Sequence, residues 1–255
     1  MNGLHSLVPP DGVLLQFVLE GAALPEEARR RFEQYETCQR PLAMLLLELK
    51  AKDPQLYAHS QRVLRFTSRL TRVLHLQQAE ATTIELAALF HDVGKLAIHT
   101  ELLYKASALT HSEFELIRRH PAYGASILEK MGMPNRVTHV VYHHHEHWYG
   151  SSYPHGLQGE AIPLGARVVA IADAWDVMTS HRPYQAPRTP MQALKELRKC
   201  AGTQFDPALV ERFCTSLEAN LSGASPFEMG RRAATNDDRV PAVDSNTTST
   251  LIPVL

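Results

Sequence analysis

The chain has 255 residues, with 26 Lys and Arg set against 27 Asp and Glu for a formal net charge of −1. That length buries a full-sized core in one domain with a small appendage. The even charge argues against steering onto long nucleic acid or a membrane surface, and no run of about 18 apolar residues offers a spanning helix. Cys38, Cys200 and Cys214 are scattered and outside CxxC spacing, as suits a reducing compartment, and Met1 to Pro10 lacks the basic and apolar regions of a signal peptide. The expectation is a cytoplasmic protein. Fourteen histidines are many for this length, and six of them fall between His139 and His155.

Taken in chain order, residues 1–52 read as a helical extension, with acids after Pro25 in a first turn and an apolar run from Met44 to Lys50. This segment fits a cap on the main domain, or a contact for a second copy or a regulatory protein. From Leu56 to Leu76, Val63, Leu64, Phe66, Leu70, Val73 and Leu74 recur at helical spacing, with His59 near the start. Thr83 to Phe90 carries an apolar helix into His91 and Asp92. A loop is expected around Ala97 to Ala108, and then a capping box at Thr110 and Glu113 opens a helix that arrives at His120. Pro121 interrupts, and Tyr123 to Met131 resumes. Asn135 to His147 is the next helix and delivers His143, His144, His145 and Glu146. A loop rich in Gly, Ser, Pro and Tyr runs from Tyr149 to Pro163. Leu164 to Thr179, Pro190 to Cys200 and Pro207 to Leu217 are the last helices, and residues 222–255 turn polar in the manner of a disordered tail. No stretch alternates as a strand does, so the fold should be all-α, with its main domain over 53–221.

Chemistry concentrates at a few places on these helices. His91 and Asp92 stand side by side, followed by Gly94 and Lys95; Gly94 lets the backbone turn and bring Lys95 back. Alone, the pair equally describes a polar helix end facing water. Asp173, within an otherwise apolar helix, needs a positive partner if buried, and either a metal ion or a paired core residue meets that need. Taken jointly, His59, His91, Asp92, His120, His144, His145 and Asp173 form a set too large for incidental buried polarity. Imidazole and carboxylate donors suit a borderline or hard transition metal. His139, His143, His147, His155 and His181 are extras and are expected to face solvent.

The order His59, His91-Asp92, Asp173 resembles the HD superfamily of metal-dependent phosphohydrolases. Further motifs are similar to its HD-GYP subfamily: His91-Asp-Val-Gly-Lys95, Leu109-Thr110, His120-Pro-Ala-Tyr-Gly124, His144-His-Glu146, Gly150-Ser-Ser-Tyr-Pro154, Ile162-Pro-Leu, Ala172-Asp173-Ala-Trp-Asp176 and Arg182-Pro-Tyr184. The resemblance covers about residues 55 to 218 and implies an HD-type helical bundle that hydrolyses cyclic di-GMP to pGpG, and on to GMP, at two divalent metal ions. It makes His59, His91, Asp92 and Asp173 ligands of one ion and His120, His144 and His145 ligands of the other, with Asp92 bridging. Iron or manganese fits this donor set better than zinc. Two such ions about 3.5–4 Å apart can acidify water and clamp a phosphate oxygen. Lys95 is expected to offset charge on the phosphate, Arg182 and Tyr153 to bind substrate, and Asp176 to orient a ligand or hold Lys95. Read alone, Arg182 fits an ordinary helix end, Tyr153 a loop anchor and Asp176 a surface or capping residue.

Several positions depart from the pattern of that subfamily. Ser152 replaces the glycine of the signature loop and would cost about 1 kcal/mol if that glycine needed positive φ. Tyr149 replaces an aspartate, Gln185 a basic residue, and Ala106-Ser107 a Pro-Gly pair. Gln55 stands where a third-metal glutamate would be, so two ions are expected and not three. The ligands are intact while the substrate-shaping parts have drifted. An active cyclic-dinucleotide hydrolase is therefore expected. The alternatives are a weakly active sensing or docking module, or a hydrolase of another cyclic dinucleotide.

Overall fold

A computed structural model describes residues 39–181 and 186–221. Most of the expected extension, the expected tail and the expected substrate arginine Arg182 lie outside the described residues. Ten α-helices cover the rest: α1 (Gln39–Lys52), α2 (Pro54–Val73), α3 (Gln78–Phe90), α4 (Thr100–Leu103), α5 (His111–Ile117), α6 (His120–Lys130), α7 (Asn135–His143), α8 (Leu164–Thr179), α9 (Pro190–Lys199) and α10 (Pro207–Leu221). No strand forms among the described residues, and the sheet-like pairing there is one bridge between Ala201 and Phe205. The all-α expectation holds.

Helix α8 is the hub. It is buried along nearly its whole length, from Gly165 to Met178, and packs against α2, α3, α7, α9 and α10. Apolar residues on every side, among them Val168, Val169, Ile171, Ala174 and Val177, explain this, because a helix apolar all round has no face to give to water. Gly165 sits where a Cβ would meet Val140 Cγ2 at 2.6 Å, so its lack of a side chain sets how closely α7 crosses α8. Helix α2 begins at Asp53, whose carboxylate accepts from the Leu56 N–H at 2.9 Å, with Pro54 in the first turn. Helix α1 lays Leu42, Leu46 and Leu49 into the same core, at the spacing that keeps three residues on one helical stripe.

Two boundaries fall elsewhere than the sequence pattern suggests. Helix α5, opened by the expected capping box of Thr110 and Glu113, stops at Ile117, and His120 begins α6 instead of ending α5. Pro121 then lies in the first turn of α6, where a missing N–H leaves nothing unsatisfied. Helix α7 ends at His143 and not at His147. Consecutive residues of a helix point about 100° apart, so a continuing helix would not turn His144 and His145 to the same side; the turn that follows α7 does so.

Candidate metal centre

The end of α3, the start of α6, the turn after α7, the first half of α2 and the second half of α8 meet at Asp92. Its Oδ2 lies 3.4 Å from His91 Nε2 and 3.6 Å from His59 Nε2, while its Oδ1 lies 3.2 Å from His120 Nε2. His59 Nε2 is 3.1 Å from Asp173 Oδ1. On the other flank, His120 Nε2 lies 3.0 Å from His145 Nε2 and 3.4 Å from His144 Nε2. All seven of these residues are buried. They fall into two groups, His59 with His91 and Asp173, and Asp92 with His120, His144 and His145. The structure thus brings together every metal ligand expected from the sequence.

The imidazoles are aimed by their far nitrogens. His91, His120 and His144 each place Nδ1 on a backbone carbonyl three residues back, those of Ala88 (2.8 Å), Ile117 (2.8 Å) and Val141 (2.6 Å). A carbonyl only accepts, so Nδ1 carries the hydrogen and the Nε2 lone pair of each ring points into the centre. His91 Nε2 is buried there without a hydrogen-bond partner. The lone pairs of His120 and His144, 3.4 Å apart, repel unless a cation lies between them, and donors about 2.1 Å from one ion stand roughly 3.0–3.5 Å apart. The residues present fit divalent metal ions in both groups.

Asp176 aims the remaining imidazole. It accepts from His59 Nδ1 at 2.7 Å, from Arg62 Nε at 2.6 Å and from the Ser180 hydroxyl at 2.8 Å. It does not hold Lys95, which donates to Asp92 Oδ2 at 2.8 Å. Arg62 was not anticipated; its signal was a cation three residues after His59 on the same helical face. Gly94 also acts otherwise than expected. A Cβ there would stand 1.9 Å from the His120 carbonyl oxygen and 2.5 Å from the Gly124 nitrogen. Its role is to let the segment after α3 press against the start of α6, which brings Asp92 to His120.

The charges follow from burial. Loss of hydration, then the neighbouring His91 and His120, pushes His144 down to about 3, and burial with His144 beside it holds His145 well below the usual histidine range. These rings are neutral at pH 7, which is the ligand form. Burial alone would raise the carboxyl of Asp92, but Lys95 and then His91 hold it well below the usual range. Burial would likewise lower His59, yet the carboxylates of Asp173 and Asp176 raise it to about 9. Burial works against Asp176 too, and its bonds to His59 and Arg62 bring it down to about 2.

The loop from Trp148 to Pro163 lies over the second group. Tyr153 stacks on His145 with ring centroids 4.9 Å apart, the Arg118 guanidinium lies 4.6 Å over the same ring, and the tyrosine hydroxyl is buried without a partner. Neither Arg118 nor the part played by Glu146 was anticipated. The Glu146 carboxylate accepts from the backbone N–H groups of His155 (2.8 Å) and Leu157 (3.0 Å) and so ties this loop to the end of α7. Ser152 carries no strain. Positive φ in the loop falls on Gly150, Gly156 and Gly159, and His75 is the non-glycine residue with positive φ among those described. His143 overturns the expectation that it faces solvent: it is 4% exposed, because the chain turns inward directly after it. His139, His155 and His181 are exposed as expected, and His147 is half-buried.

Comparison with known proteins agrees with this geometry. The family described as HD domain matches residues 44–209. A protein named cyclic di-GMP phosphodiesterase from Thermotoga maritima is 33% identical over 193 residues, covering 74% of this chain and 52% of the relative. A 3'3'-cGAMP-specific phosphodiesterase 2 from Vibrio cholerae is 36% identical over 178 residues, covering 69% of this chain and 34% of the relative. The chain therefore spans about half or less of the length of these two relatives. Among solved structures, an HDG"Y"P protein from Bdellovibrio bacteriovorus superimposes with a TM-score of 0.56 at 18% identity, over 82% of this chain and 70% of that one. The chain belongs to the HD domain family, and it carries the motifs by which it resembles the HD-GYP subfamily.

Proposed function

We propose that this domain is a phosphodiesterase with two metal ions, which opens cyclic di-GMP to linear pGpG and carries it on to GMP. The placement of Asp92 supports this most directly, with one carboxylate oxygen facing His59 and His91 and the other facing His120. On this reading His59, His91, Asp92 and Asp173 hold one divalent ion, and Asp92, His120, His144 and His145 hold the second. A donor set of imidazoles and carboxylates with no thiolate suits iron or manganese. When bound, such a pair lowers the pKa of water and withdraws charge from a phosphate oxygen.

The chain's own residues supply the rest. Asp176, itself gripped by Arg62, keeps His59 Nε2 facing inward, and three backbone carbonyls do the same for His91, His120 and His144. The buried walls exclude bulk water, so fixed charges act there at short range with little screening. Lys95 sets an ammonium against Asp92, where it offsets the negative charge that builds on the phosphate oxygens as phosphorus is attacked. One bond forms between water oxygen and phosphorus, the bond from phosphorus to the ribose 3′ oxygen breaks, and that oxygen departs with a proton given up by the water. Tyr153, with its unpartnered hydroxyl beside His145, and Arg182 are the proposed substrate contacts.

Tyr149, 68% exposed, departs from the aspartate of the family pattern at the start of the loop. The alternative is the same chemistry on 3'3'-cGAMP, the dinucleotide in the name of the Vibrio cholerae relative. Protein loaded with Fe²⁺ or Mn²⁺ and incubated with each cyclic dinucleotide should release a linear product from at least one. Binding of both with release from neither would make the domain a sensing or docking module instead.

A further inference from the structure

A third group of metal-ligating side chains shares no residue with the Asp92 centre. His143 closes α7, Glu146 follows in the turn, and His155 comes from the loop just beyond Tyr153. One donor atom from each lies within 4.8 Å of the others. His143 Nδ1 stands 3.5 Å from Glu146 Oε1, too far for a sound hydrogen bond to a carboxylate. That nitrogen has no hydrogen-bond partner, although the residue is 4% exposed. Two donors each about 2.0–2.1 Å from a tetrahedral zinc ion lie roughly 3.4 Å apart, so the spacing is that of neighbouring ligands on one ion.

Glu146 is ready for such a role. The amides of His155 and Leu157 fix its carboxylate, and a carboxylate with about four lone-pair sites keeps room for an ion beside two amides. An open groove of about 560 Å³ runs past Glu129, Arg136, His139 and Tyr142 to His143 and His155, and gives an ion and a water molecule a way in.

We propose that His143, Glu146 and His155 form a separate site for a single zinc ion, with water as the fourth ligand, and that its occupancy fastens the Tyr153 loop to the end of α7. Two imidazoles and one carboxylate with an open fourth position are a zinc donor set. Because Tyr153 packs on His145, the fastening bears on the pocket of the proposed hydrolase, but the binding of zinc does not rest on that reading.

The test is a count of zinc bound to the full chain after equilibration with buffered micromolar Zn²⁺, with thermal unfolding read alongside. Wild-type protein should hold one more zinc per chain than His155→Ala, and His143→Gln should lose the same ion. The zinc-dependent rise in the unfolding midpoint should shrink in both variants. His155 is exposed, so its removal leaves the core intact. Equal zinc content in wild type and His155→Ala overturns the site. Failure of the Asp92 centre is distinguishable, because it would show as a shortfall common to all three proteins.

Discussion

The centre around Asp92 and the loop over it are built on different principles. In the centre, the histidines sit on helices or just past a helix end, and the far nitrogens of His59, His91, His120 and His144 are fixed by a backbone carbonyl or by Asp176. In the loop, shape depends on glycines at positive φ and on one carboxylate, Glu146, gathering two amides. A helix-borne ligand keeps its place through changes nearby, whereas a loop residue keeps its place only while its few ties hold. This explains how Tyr149 and Ser152 depart from the family pattern while every expected ligand is retained.

The sharpest way to break that contrast is to remove the shared carboxylate. Asp92→Ala should abolish hydrolysis and cost both metal ions, measured as metal content per chain; full metal content would show that the two groups do not share it. Lys95→Ala should keep the metal but slow turnover by about 10²–10³-fold, as for loss of one group that stabilises charge in the transition state. Unchanged turnover would remove Lys95 from the mechanism. Asp176→Asn should lower metal affinity or activity by roughly 10–100-fold, since it weakens the bond that orients His59, and a metal titration will read it.

The next prediction concerns packing. Gly94→Ala would drive a methyl group into the His120 carbonyl, so the start of α6 must move away. Denaturant unfolding should show a loss of about 1–3 kcal/mol, and metal content should fall with it. At the far end of the scale, Ser152→Gly restores the residue of the family pattern. It should leave turnover nearly unchanged and cost about 0.5 kcal/mol of stability, because a glycine there only frees the unfolded chain. A large gain in activity would mean that the loop, and not the centre, limits turnover.

Much of the centre was legible in the sequence, for a physical reason. A histidine or aspartate inside an apolar helical run stands out, because burial without a partner is costly; Asp173 in α8 and His91-Asp92 at the end of α3 announce themselves in this way. Residues that act through others were harder to read. Arg62 looks like any exposed helical arginine until Asp176 is found opposite it. Gly94 read as a turn residue, whereas its true constraint comes from the backbone of His120, which is distant in sequence and adjacent in space. The end of α7 is hard to read locally because His144 to His147 do not break a helical pattern, and the inward turn depends on partners in α3 and α6 that no local window contains. The burial of His143 is hidden from a local window for the same reason.

The most direct test of the central claim is a crystal structure of the Mn²⁺-loaded protein with the ions located by anomalous scattering. Two peaks about 3.5–4 Å apart are expected, one on each side of Asp92, with His59, His91 and Asp173 around the first and His120, His144 and His145 around the second. A single peak, or two peaks of which only one touches Asp92, would contradict the account.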